Sequence, residues 1–98
     1  MAIIIDDEQN LRTVADLHKR LLDAIVPDAR TVLDISGVTT ADLSFVQVIE
    51  ASRRHAAATG GDLCLAGPAP DAVRDVLDLA GFNSPAAQQF WTPGAHSQ

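Results

Sequence analysis

Apolar and polar positions along this chain fall into two kinds of pattern. Three short apolar runs are nearly continuous: Ile3-Ile4-Ile5, Thr31-Val32-Leu33-Asp34-Ile35 and Leu63-Cys64-Leu65-Ala66. Charged or turn-forming residues bound them, namely Asp6-Asp7-Glu8, Pro27-Asp28, Ser36-Gly37, Gly60-Gly61 and Gly67-Pro68. Runs of this length predict strands, and their continuity predicts burial on both faces of a sheet. The stretches between and after them carry apolar residues at helical spacing. Val14, Leu17, Leu21 and Ile25 share one face of a helix that follows Thr13, with Asp16 completing a capping-box variant. A second helix covers about Leu43 to Ala58, with Phe45, Val48, Ile49, Ser52 and Ala56 in phase, and Gly60-Gly61 stops it. A third begins near Asp71 behind Pro70 and aligns Val73, Val76, Leu77 and Ala80. It ends at Gly81-Phe82, the arrangement in which a left-handed glycine closes a helix and the next apolar residue folds back.

Strands alternating with helices predict parallel neighbours joined by right-handed crossovers, hence an α/β domain. Leu33, mid-strand, and Ile49, on the apolar helix face, are expected in its core. The periodic pattern ends at Phe82. Residues 1–82 are therefore read as one domain and 83–98 as a C-terminal tail, pinned by Phe90 and Trp91 and mobile from Pro93 to Gln98.

Composition narrows the class of protein. With 98 residues there is room for a single domain, and 47% hydrophobic against 20% charged residues is a globular balance. A net charge of −6, with no Lys/Arg stripe, opposes binding to a phosphate backbone, so no nucleic-acid partner is expected. The single cysteine excludes an internal disulfide framework and fits a reducing compartment. No apolar run approaches the ~20 residues of a membrane span, and Met1 to Asp7 lacks the features of a secretion signal. The expectation is a cytoplasmic protein that inserts in no membrane.

Chemistry-bearing clusters are not evident. His18, His55 and His96 are scattered without ligand spacing, so no metal is expected, and Cys64 reads as a small buried hydrophobe. No nucleophile-elbow, dinucleotide-binding or phosphate-loop motif is present, and neither a catalytic residue nor a cofactor is expected. The opening Ile3 to Glu8 is similar to that of a response-regulator receiver domain. That site also needs an aspartate after a later strand and a C-terminal lysine; Asp34 lies inside its strand, and the chain's only lysine is Lys19. Asp6-Asp7-Glu8 reads instead as a solvated strand exit.

The informative stretch is Thr31 to Gln47, T-V-L-D-I-S-G-V-T-T-A-D-L-S-F-V-Q. A strand ends in Ser36-Gly37, a short loop follows, and Asp42 leads into an apolar helix. Asp42 suits a helix N-cap, and Ser44 with Gln47 offers a second S-x-x-Q cap. Together with Leu63 to Gly67 and Val73 to Phe82, the segment resembles the STAS domain, shared by sulfate transporters and bacterial anti-sigma factor antagonists. The resemblance runs from about Leu11 to Phe82. It rests on the matches at Val32 to Val38, Asp42, Ser44 and the two later motifs, each weak alone but in family order. The D-L-S-F-V-Q form is similar to STAS proteins of chemotaxis signalling clusters. Two positions depart from the family pattern. The usual phosphoacceptor position, directly after the Asp, is Leu43, and the usual glycine is Phe45. The N-terminus is also short for the family's first hairpin.

The resemblance implies a small mixed, mainly parallel sheet with packed helices, acting without catalysis as a regulatory docking module. It implies a partner surface at residues 38–48, formed by Thr39, Thr40, Asp42, Leu43, Ser44, Phe45 and Gln47. Ser44, one residue beyond the usual acceptor position, is the only hydroxyl left at the switch, and constitutive binding is expected ahead of a phospho-switch. The implied partner is a protein: an anti-sigma kinase-like ATPase, a chemotaxis kinase or an ABC ATPase. The alternative role is the cytoplasmic STAS subunit that braces the ATPase of a phospholipid-transport ABC complex.

Overall fold

The computed structural model describes residues 2–9, 12–81 and 84–92. Its elements are β1 (Ala2–Gln9), α1 (Val14–Ala24), β2 (Arg30–Ala41), α2 (Leu43–Ala58), β3 (Asp62–Leu65), α3 (Asp71–Ala80) and α4 (Pro85–Trp91). The strands form one sheet in the order β1-β2-β3, and both pairings are parallel, as the β-α alternation predicts.

Burial alternates through residues 3–5, through residues 30–36 and along β3. In β2, Thr31, Leu33 and Ile35 are buried, whereas Arg30 and Ser36 are exposed and Val32 and Asp34 half-buried. In β3, Leu63 and Leu65 are buried but Cys64 only in part; in β1, Ile5 is buried while Ile4 is 66% exposed. The registers Ile3↔Leu33, Thr31↔Leu63 and Leu33↔Leu65 place the inward residues in continuous rows. The expectation of burial on both faces is thus corrected: one face carries the core, and the other, with Ile4, Val32, Asp34 and Cys64, is left more open. Period-two geometry sends every second residue of an apolar run to that open face.

The core combines the inward strand residues with Leu17, Leu21 and Ile25 of the α1 region, Phe45, Val46, Ile49 and Ala56 of α2, and Val73 and Leu77 of α3. Leu33 and Ile49 are fully buried, as expected. The only fully buried hydroxyl on α2, that of Ser52, is satisfied by the Val48 carbonyl at 2.9 Å. The predicted bounds of α2 and α3 hold, and α3 closes on a left-handed Gly81 (φ 78°). Phe82 and residues 93–98 lie outside the described residues, as do the side chains of Asp6, Asp7 and Glu8.

Four local expectations need correction. Thr13 occupies the N-cap position of α1 with near-helical dihedrals and makes no capping bond through its side chain, so no capping box forms there; a cap needs an extended backbone. Asp6 to Glu8 lie within β1 rather than after it, and β2 continues past Ser36-Gly37 to Ala41. Two register irregularities, between Ile4/Asp6 and Asp7/Glu8, absorb the extra β2 residues, and pairing resumes at Glu8↔Thr40 and Gln9↔Ala41. Finally, the stretch read as a tail contains α4. Its seven residues hold too little periodicity to register, although Ser84-Pro85 is a helix-start signal: the Ser84 hydroxyl accepts from the Ala87 amide at 3.2 Å.

Gly60 and Gly61 do more than stop α2. Gly60 is left-handed (φ 81°), and a Cβ there would strike the Asp28 carboxylate. A Cβ on Gly61 would lie 2.5 Å from the Ala29 carbonyl oxygen. The turn entering β2 and the turn entering β3 therefore pack backbone to backbone, with Asp28 N–H donating to Thr59 O (3.1 Å) and Asp62 N–H to Ala29 O (3.0 Å).

Candidate functional site

The segment from Val38 to Gln47 crosses from the end of β2 into α2. Val38 is buried and anchors the strand, while Thr39 and Thr40 are exposed. Both threonines belong to the strand rather than to a loop, because β1 still pairs there. Asp42 then leaves the sheet with extended dihedrals (φ −129°, ψ −178°), the backbone an N-cap requires. Its Oδ1 accepts from the Phe45 amide at 3.3 Å and from the Ser44 hydroxyl. The S-x-x-Q alternative is not used: Asp42 is the N-cap of α2, and Ser44 lies inside the helix with its hydroxyl donating to Asp42.

The helix period sorts the next residues. Leu43 is 44% exposed and Gln47 is exposed one turn later on the same face, with Ser44 half-buried beside them. Phe45 is fully buried with Val46 and Ile49. This corrects Phe45 as a contact residue: its ring faces the core and supports the surface from beneath. The geometry brings Thr39, Thr40, Asp42, Leu43, Ser44 and Gln47 to one region at the start of α2.

The same helix face continues toward its C-terminal end through Glu50, Arg54 and Ala57. There a cavity of about 360 Å³ is lined by Glu50, Arg53, Arg54, Ala57, Gly61, Asp62 and Leu63. Glu50 accepts two bonds from Arg53 Nη1 (2.9 and 3.1 Å) and one from Trp91 Nε1 (3.0 Å), while the Arg53 guanidinium lies 4.1 Å from the centre of the Phe90 ring. Sequence reasoning missed this cluster. Its one signal was the Glu50/Arg53 pair at i,i+3; its partners on α4 lie some forty residues away in sequence.

On the open sheet face, Asp34 Oδ1 accepts from the Ser36 hydroxyl (2.6 Å) and the Ser36 amide (3.0 Å). These bonds, the hydroxyl's first, favour the carboxylate and hold the Asp34 pKa below its usual value. Among the described residues, no group of three or more His, Cys, Asp or Glu side chains is placed to hold a metal ion, and no helix is long and apolar enough to cross a membrane.

The arrangement forms a surface at a helix start that is capped from within and flanked by exposed hydroxyl, amide and aliphatic groups. A family model described as "Mlab, STAS domain" matches residues 2–88 of the chain. No curated protein matches it.

Proposed function

Because the chain belongs to the STAS domain family, a family of regulatory protein-interaction modules of the anti-sigma antagonist type, we propose that it docks a protein partner through residues 38–48 and performs no catalysis. The observation that supports this reading is the pairing of exposed Leu43 and Gln47 over a floor of buried Phe45, Val46 and Ile49. An aliphatic side chain left in solvent on a helix that is otherwise well sorted is suited to burial against a partner. In this reading Thr39 and Thr40 supply polar contacts at the rim, and Asp42 fixes the helix start.

The partner is an ATPase of a signalling system, of the anti-sigma kinase or chemotaxis kinase type, and the protein works in the cytoplasm. Binding is constitutive. The position after Asp42 carries Leu43, which has no hydroxyl, and the Ser44 hydroxyl is already engaged by Asp42. That same observation favours a second reading, the STAS subunit that braces the ATPase of a phospholipid-transport ABC complex, where no phosphate switch is needed.

The experiment is a binding comparison. Wild-type protein and a Leu43→Glu, Gln47→Glu variant are titrated against the kinase-type ATPase and the ABC ATPase encoded by the same host. The leading reading expects a complex with the kinase-type ATPase that the variant loses. A complex with the ABC ATPase alone selects the second reading, and equal binding by the variant refutes the surface.

A further inference from the structure

The sheet ends on β1, and among the described residues nothing pairs with the outer side of that strand. Edge strands expose unpaired amides and carbonyls, and proteins usually guard them with charge, proline or bulges. Guarding is uneven here. After Ile4 the pairing with β2 is interrupted by both register irregularities and the sequence turns acidic from Asp6, whereas Ala2 to Ile4 pairs in regular register and Ala2 to Ile5 is uncharged, with three successive β-branched isoleucines. On that half, Ile4 is 66% exposed on the open sheet face, and Ile3 packs partly against the core.

From this unguarded half-edge we infer that β1 pairs antiparallel with β1 of a second copy of this chain, about a two-fold axis at Ile4, to give a continuous six-stranded sheet. Three features select this occupant and register. Inward and outward residues must match across the pair, so a register odd by one residue is excluded, since it would set exposed Ile4 against inward Ile3 or Ile5. Of the remaining registers, the one with Ile4 opposite Ile4 forms the most isoleucine pairs, Ile3 with Ile5 on the core side and Ile4 with itself on the open side. Aliphatic β-branched pairs of this kind are the stabilising unit of a sheet. The charge pattern agrees. An antiparallel two-fold carries the acidic run of each copy, Asp6 to Glu8, to opposite ends of the joint, so that like charges do not face one another. A parallel pairing would set the two acidic runs side by side. Few residues join, so this is a small, reversible interface below the ~1,200 Å² of standard complexes.

The test uses the full chain. Sedimentation equilibrium at protein concentrations up to about 1 mM should show a monomer–dimer equilibrium, the range in which so small an interface is populated. Ile4→Lys, which places like charges opposite each other on an exposed position, should weaken it at least about tenfold without altering the fold. In a Cys64→Ser background, Ile4→Cys should form a covalent dimer under mild oxidation, while Leu79→Cys, at a position 91% exposed on α3, should not. A monomer at every concentration overturns the inference. So does a dimer unaffected by Ile4→Lys, or equal cross-linking at positions 4 and 79. None of these readouts involves residues 38–48, so the dimer and the docking surface stand or fall separately.

Discussion

The indole N–H of Trp91 donates to Glu50 Oε1 at 3.0 Å, joining α4 to α2 across 41 positions of sequence. Glu50 is also held by Arg53, whose guanidinium covers Phe90, and Phe90 meets Trp91 edge-on with ring centres 5.0 Å apart. A second tie runs from the Ala69 amide to the Trp91 carbonyl at 2.7 Å. A helix of seven residues has no stability of its own, so α4 is held in place by this cluster and by burial of its two rings.

Trp91 is therefore expected to act as the anchor of α4. Trp91→Ala should lower the unfolding free energy by about 3–5 kcal/mol, because a fully buried ring leaves a large cavity. Trp91→Phe, which keeps an aromatic ring but removes the donor, should cost clearly less, although Glu50 keeps its bonds to Arg53. Urea denaturation of the two variants checks the ordering; equal losses would mean that α4 contributes little packing.

Gly61 makes a different prediction, because its constraint is steric rather than conformational. A methyl group there meets the Ala29 carbonyl oxygen at 2.5 Å, and backbone cannot swing away as a side chain can. Gly61→Ala should force apart the turns that enter β2 and β3, costing at least about 1–3 kcal/mol, the range for overpacking. Amide exchange should then accelerate at Asp28 and Asp62, whose N–H groups bridge these turns. Unchanged exchange at both would show that the turns do not depend on each other.

How much of this could be read from the chain follows from where each signal resides. The helices α1, α2 and α3 were legible because each presents one apolar stripe over ten or more residues. The strands were legible in position but not in exposure: an unbroken run such as Ile3-Ile4-Ile5 does not reveal that Ile4 faces outward. That depends on how many helices exist to cover the sheet. The far end of β2 was hidden because Ser36-Gly37 is a turn signal in sequence, yet β1 extends beside it and keeps it paired. At the candidate site, the Asp42 cap was legible from residue type and spacing. The inward turn of Phe45 was also implied by helix phase, but the family pattern that suggested the surface drew it into the contact set. The Glu50–Arg53–Phe90–Trp91 cluster was not legible, since only tertiary folding brings its halves together.

Asp34 should give the stability of this protein a small acid dependence. Its bonds from Ser36 exist only in the folded chain and lower its pKa there relative to the unfolded chain. The contribution is thus fully present above the unfolded aspartate pKa and is lost as pH falls through the lower, folded value. Ser36→Ala removes the hydroxyl donor and leaves the amide, so the Asp34 pKa read by NMR titration should rise toward the ordinary aspartate range. Stability of this variant and wild type should converge in strong acid and differ only above it. A difference that persists at the lowest pH would assign the effect of Ser36→Ala to packing instead.

The bond between Ser44 and Asp42 decides how the proposed docking surface responds to chemistry at the hydroxyl next to the usual acceptor position. Asp42 Oδ1 accepts from both Ser44 Oγ and the Phe45 amide, so the carboxylate is the hub of the helix start. Asp42→Ala should cost about 0.5–2 kcal/mol through the lost cap. Ser44→Ala should cost less, since the Phe45 amide keeps its acceptor. Ser44→Asp sets a second carboxylate against Asp42, where the wild type has a donor; the helix N-terminus favours the new charge, but Asp42 repels it. On the constitutive reading, the protein isolated from its own host carries no substantial phosphate on Ser44, and Ser44→Ala binds the partner like wild type. Mass spectrometry of that protein and partner affinities of Ser44→Ala and Ser44→Asp supply the measurement. Substantial phosphate on Ser44, with binding lost in Ser44→Asp and kept in Ser44→Ala, would instead make this hydroxyl a switch one residue beyond the position that Leu43 has vacated.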